Sequence, residues 1–444
     1  MRTLLAPLAF LFLSVSQAFA LTPNVALLVE WETHANNISV RSSAPIALEH
    51  FEIPLSAVSA HFGENLEPEV RASLVFEKNG VPTVRWIINP EDSEYANALE
   101  VYLRKNGLDA HRYPRFTGYQ TASRSLIIED PVTGAEFSAK VGTNKTGGQW
   151  KSKKLTADQA KQSALMNREI ETIERKVFFR HGVYLEEPAA FGIAGADQGF
   201  VVRSLKNFHA NPKRSYLPAF SVVHQEIGRR LALKNGARVP ADYWIENAVK
   251  PIARAQAEFI AFTGRVPEAG HWQNYLIELD ENLKPTGRIA MRDFADSNII
   301  ASGHAGLADR TAFRWWPRNH VKADIRLQAG PLRGNRPPGW LPIDSPEYAR
   351  WQSAFYAEFE SEFARITGLS PSDLRSTERS SVGTTETRRY TAKGANWDLY
   401  FESIECYRGS PTTAAGKPCQ PNLRKIIAPY LRENCPLLFS AGAE

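Results

Sequence analysis

The chain has 444 residues, 43% of them hydrophobic and 23% charged, which is length for two or three domains with hydrophobic cores of their own. Its 53 Lys and Arg against 48 Asp and Glu give a net charge of +5, too mild over such a length for a nucleic-acid binder. Internal repeats and low-complexity tracts are absent from the sequence.

The first twenty residues, MRTLLAPLAFLFLSVSQAFA, set one positive charge at Arg2 ahead of an apolar run from Leu4 to Val15 and small residues at Ala18 and Ala20. This pattern predicts a secretory signal peptide over residues 1–20, cleaved after Ala20, and hence a periplasmic or secreted protein. The apolar run is too short for a transmembrane segment, and no later stretch is long and apolar enough to be one.

Residues 21–115 predict a small N-terminal α+β domain to which no chemistry attaches. Its Asn79-Gly80 pair between β-rich runs signals a hairpin, and a helix over about 92–105 stops at Asn106-Gly107. Residues 116–210 predict a β-rich small lobe. Here RSLIIED and AEFSAKVG form a hairpin about PVTG, the loop TNKTGGQWKSKK follows, and a helix over about 157–176 precedes strands in HGVYLEEPAAFGI and QGFVVRSLKNF.

Residues 211–444 predict a mainly helical large lobe. One helix carries Trp244, Ala248, Ile252, Ala255 and Phe259 on a single face. The short strands NYLIEL and RIAMRDF come next, joined by DENLKPTG. Asp344, Pro346 and Gly368 punctuate a further helix, and its Tyr348, Trp351, Phe355, Phe359 and Phe363 form an aromatic stripe suited to core packing. All three cysteines lie near the C-terminus; in an oxidising compartment Cys419 and Cys435 are placed to staple the segment between them, leaving Cys406 free or competing.

Mg2+-assisted phosphate chemistry needs a cation for the phosphates, hard oxygen ligands for the metal and a rigid frame for both. Lys140, on a hairpin strand, can supply the cation. Asn274 at the start of one strand and Asp293 at the end of its partner can place two metal ligands side by side, with His271 and Gln273 reaching the same spot. A helix glutamate, Glu169, Glu171 or Glu174, can pair with Lys140. Other signatures fail: TNKTGGQWK lacks the Gly-Lys-Ser/Thr ending of a P-loop, FGIAGADQG has the wrong glycine spacing for a dinucleotide site, and no serine elbow or His-Glu-x-x-His helix is present.

The order of these parts resembles the protein-kinase-like scaffold. At finer grain, over about residues 123–300, it is similar to the catalytic region of NRPS-independent siderophore synthetases of the aerobactin-synthetase type. That family's His-x-Gln-Asn motif before a strand and its later Arg-Asp motif correspond to GHWQN and MRDF; YLEEPAAFGI with GFVVRSL, and SAKVGTNKTGG, are further partial matches. The resemblance implies an α+β chain in which a kinase-like bilobal domain follows the N-terminal domain, with ATP and Mg2+ as cofactors. Lys140 would contact the ATP phosphates and Arg203 would lie near the nucleotide or substrate. His271, Gln273 and Asn274 would face the phosphates, Asn274 and Asp293 would bind the metal, and His271 and Asp293 would serve catalysis.

Two functions follow. One is an exported nucleotide- and Mg2+-dependent transferase or ligase acting on a small molecule or on an envelope or host protein. The alternative is a catalytically inactive kinase-like binding or scaffold protein of the cell envelope, its ligand held by Arg203 and Arg292.

Overall fold

A computed structural model describes residues 21–36, 43–121, 124–143, 154–174, 179–223, 226–263, 265–267, 270–293, 297–299, 301–302, 312–314, 321–322, 340–342, 345–367, 374–382 and 385–393. The signal-peptide segment, the lysine-rich loop at 144–153 and the three cysteines lie outside these residues. No helix among the described residues is long and apolar enough to cross a membrane.

The chain is mixed α+β. Its first ten strands are β1 (Ile46–Pro54), β2 (Ser59–Phe62), β3 (Val75–Lys78), β4 (Val81–Ile87), β5 (Arg112–Gln120), β6 (Ser125–Glu129), β7 (Glu136–Val141), β8 (Gly182–Tyr184), β9 (Ala189–Ile193) and β10 (Gln198–Arg203). All but β8 join one sheet in the order β2-β9-β10-β7-β6-β5-β1-β4-β3. Every neighbouring pair is antiparallel. Strands from both sides of residue 115 share this sheet, and that expected boundary falls inside β5.

Local chemistry explains the connections. The β3–β4 turn is the Asn79-Gly80 pair, with φ of 51° and 78°, the two positive values that a tight hairpin turn of the strands' own twist requires. The helix Ser93–Lys105 starts where the Asp92 carboxylate accepts from the Tyr95 N–H at 2.9 Å.

Beyond β10 come β11 (Ser215–Pro218), β12 (Arg265–Pro267), β13 (Tyr275–Leu279) and β14 (Pro285–Met291). A second sheet runs β11-β13-β14-β8, with β8 parallel to β14, and further strands pair over residues 374–393. The segment expected to be mainly helical thus contributes three strands to a sheet completed by β8 of the segment before it.

Four longer helices matter for the site: α1 (Pro23–Asn36), α2 (Ala157–Glu174), α3 (Lys250–Thr263) and α4 (Pro346–Thr367). The expected single helix ahead of β12 is instead a short turn, Pro240–Trp244, then a π-helical turn, Ile245–Val249, then α3. Its predicted face is nevertheless buried: Trp244, Ala248, Ile252, Ala255 and Phe259 lie in one core with the α4 aromatics. Trp272 stacks on Trp351 at 5.6 Å between ring centroids, locking the segment before β13 onto α4. The large sheet has a separate core that includes Phe51, Trp86, Phe137, Phe191 and Phe200.

Candidate active site

Strand β7 lies inside the large sheet, between β6 and β10, and every one of its residues is buried. Lys140 stands opposite Val201 of β10 and opposite Ser125 of β6; its side chain is 11% exposed. A lysine so enclosed needs a counter-ion. It finds one 153 residues away: its ammonium is ion-paired with the Asp293 carboxylate.

Asp293 lies two residues beyond the end of β14. The β13–β14 register sets Tyr275 opposite Met291, and the Arg292 N–H donates to the Asn274 carbonyl at 3.0 Å. The hairpin therefore brings Asn274 beside the Arg292-Asp293 pair. At Asp293 the backbone turns into the left-handed region, with φ of 66°, a conformation that costs an L-residue about 1–2 kcal/mol.

The charges acting on Asp293 are positive. Burial alone would raise the Asp293 carboxyl, but Lys140, Arg203 and Arg124 hold it well below the usual carboxylate range. Arg203, at the end of β10, is buried and bonds Glu187 at 2.7 Å. Burial opposes its charge, yet Glu187 and then Asp293 leave its pKa above the ordinary guanidinium value. Glu187 is itself held by the Ser163 hydroxyl and by its own N–H, which donates to the Asn167 side chain at 2.6 Å. Both partners stand on α2.

Gln273 and Asn274 are linked to Asp293 through Arg292. The Arg292 guanidinium donates to the Gln273 carbonyl at 3.0 and 3.2 Å, and it is ion-paired with Glu32 of α1. His271 is buried, with Nε2 3.2 Å from the Gln273 side-chain oxygen. Lys140, Arg203 and Asp293 thus lie together where the two sheets meet, with the Asn274 backbone tied to Arg292 and His271 and Gln273 in the turn before β13.

The glutamates of α2 are placed otherwise than expected. Lys140 pairs with Asp293, while Glu171 accepts from Asn167 at 2.6 Å. Glu174 is pushed up to about 8, by burial first and by the charge of Glu186 second, so near neutral pH it largely keeps its proton and is a poor counter-ion for any cation.

Glu187 and Glu32 were not singled out in the sequence. Nothing local separates Glu187 from its neighbour Glu186 in YLEEPAAFGI. For Glu32 a signal existed: it falls at helical spacing with the buried Val25 and Val29, so a charge sits on the apolar face of α1.

Among the described residues no group of three or more His, Cys, Asp or Glu side chains is placed to hold a metal ion. Mg2+ asks for less, being commonly held by one or two protein oxygens and completed by phosphate and water. Asn274 and Asp293 carry side-chain oxygens of that chemical type, and the Asn274 backbone is hydrogen-bonded to that of Arg292, the residue before Asp293.

No known family profile and no curated protein matches the sequence. Solved structures with partial likeness include three proteins of siderophore biosynthesis. The petrobactin biosynthesis protein AsbB from Bacillus anthracis is 14% identical, with a TM-score of 0.40 over 58% of this chain and 47% of that one. Aerobactin synthetase IucA from a hypervirulent pathotype of Klebsiella pneumoniae is 13% identical, with a TM-score of 0.38 over 57% and 49%. Aerobactin synthetase IucC from the same pathotype is 12% identical, with a TM-score of 0.39 over 72% and 62%. The chain spans about half to three fifths of the length of these proteins.

Proposed function

We propose that the chain is an exported, kinase-like transferase or ligase that uses a nucleotide and Mg2+, transferring a phosphoryl or adenylyl group to a small molecule or to an envelope or host protein. The observation that carries this reading is the Lys140–Asp293 pair. Two residues from different sheets, 153 positions apart, meet in a setting where Arg203 and Arg124 add to the positive potential. Such a cluster suits a phosphate chain, whose charge cations neutralise as it develops in the transition state.

In this reading the ion pair belongs to the ligand-free chain. An incoming phosphate chain accepts from Lys140 and Arg203, which leaves the Asp293 carboxylate, already deprotonated, to serve with Asn274 as a hard-oxygen ligand. Mg2+ bound there supplies charge neutralisation at the phosphates. Gln273 and His271, held by the turn before β13, orient the phosphates or the acceptor. Arg292 keeps that turn in place and is too deeply engaged to reach a ligand itself.

The test is thermal unfolding of residues 21–444 with ATP, GTP or ADP, each with and without Mg2+, beside Lys140→Ala. A nucleotide at a hundred times its Kd stabilises by about 2.7 kcal/mol. The expected result is a Mg2+-dependent rise in melting temperature that Lys140→Ala abolishes. No rise with any nucleotide would overturn the reading in favour of a binding protein that uses the same cations.

A further inference from the structure

We infer that Glu32 of α1 is a positioning residue of the candidate site, holding Arg292 so that Asp293 remains available to a metal ion. The inference rests on the nucleotide reading above, but the segment it concerns lies outside the motifs that suggested that reading.

Helix α1 belongs to neither sheet and bridges both. Its Val25, Leu28 and Val29 pack in one cluster with Ile127 of β6 and with Leu276 and Ala290 of β13 and β14. At its start the Thr22 N–H and hydroxyl donate to Glu136 at 2.6 and 2.8 Å, and Glu136 opens β7, the strand that carries Lys140. Asn24 fastens the same end by donating to the Phe208 carbonyl at 2.8 Å. Two turns further on, Glu32 is fully buried and ion-paired with Arg292. The helix therefore ties the strand that delivers Lys140 to the strand that delivers Asp293.

The pair matters because of what Arg292 would otherwise do. Its guanidinium is buried, beside Arg203 and near Asp293, and Glu32 is the acid in direct contact with it. Besides Glu32, the carboxylate whose charge acts on Arg292 is Asp293, which is left to compensate it once residue 32 is neutral. Arg292 would then compete with a metal ion for that carboxylate and loosen its own grip on the Gln273 carbonyl, shifting the turn that places Asn274. Both changes act on the metal ligands, and neither touches the Lys140 contact to phosphate.

The experiment titrates Mg2+ into residues 21–444 at saturating ATP and follows the melting temperature, for wild type, Glu32→Gln, Glu32→Asp and Thr22→Val. Glu32→Gln is expected to raise the Mg2+ midpoint about tenfold, the scale on which residues behind a metal ligand act, with Glu32→Asp recovering part of the loss. Thr22→Val loosens the opposite end of the same helix; it should lower the melting temperature and leave the midpoint unchanged. If Glu32→Gln does not fold, Glu32→Asp carries the comparison. A midpoint unmoved at residue 32, or moved equally by Thr22→Val, would overturn the inference while leaving the nucleotide reading intact. A wild-type chain insensitive to nucleotide would overturn both.

Discussion

Replacing Asp293 by Asn removes one negative charge and spares the backbone, because Asn is among the few residues at ease with a φ of 66°. The loss falls unevenly on the surrounding cations. Arg203 keeps Glu187 at 2.7 Å, whereas Lys140, 11% exposed, loses its counter-ion. Removing one partner of a fully buried pair costs about 3–5 kcal/mol. Asp293 is 29% exposed, so solvent screens part of the interaction and a cost of about 1–3 kcal/mol is expected. That corresponds to a fall in melting temperature of roughly 2–10 °C for a domain of this size. The double variant Lys140→Met with Asp293→Asn removes both charges and should be less destabilised than the two single variants summed, by about 1–2 kcal/mol. Urea denaturation of the four proteins closes the cycle. Strictly additive effects would show that the two side chains do not interact, and the argument for one site would fall with them.

Two further outcomes follow from the frame around the site. His209 is raised to about 9, first by its hydrogen bond to Glu136 and then by Glu67, against burial. The folded state thus holds a proton that the unfolded chain releases near 6.5, and the stabilisation is full below that pH and lost as pH rises through about 9. The stability difference between wild type and His209→Gln, on the order of 1 kcal/mol at pH 6, should vanish by about pH 10 in denaturation curves. Gly228→Ala would set a Cβ 2.0 Å from the Val222 carbonyl oxygen and 2.7 Å from its carbon. These are backbone atoms that cannot rotate away, so calorimetry should show a loss of about 2–3 kcal/mol; an unchanged melting temperature would contradict the packing described there.

Much of the local structure was legible in the sequence. The β3–β4 and β6–β7 hairpins, the β13–β14 pair and the aromatic stripe of α4 each follow from period and turn chemistry over a dozen or so residues. The assembly of these pieces was not, because a hairpin's own sequence does not say which other hairpin it pairs with. The β1–β5 and β2–β9 contacts, which draw the segments before and after residue 115 into one sheet, have no local signature. The same limit hid the burial of Lys140: nothing in EFSAKVG sets β6 and β10 on either side of it. Its partner was sought among the glutamates of the next helix, Glu169, Glu171 or Glu174, whereas the chain supplies one 153 residues away, beside the second sheet. Glu187 and Glu32 are the same lesson in acids, since each is fixed by an arginine distant in sequence.

The most direct test of a single phosphate-and-metal site uses Mn2+ in place of Mg2+, read by electron paramagnetic resonance with ATP and residues 21–444. The account predicts that protein and nucleotide together change the Mn2+ signal from that of free Mn2+–ATP, and that Asp293→Asn reverses the change while Lys140→Ala weakens the nucleotide dependence. A signal identical to free Mn2+–ATP in the wild-type protein, at concentrations where ATP is bound, would contradict it.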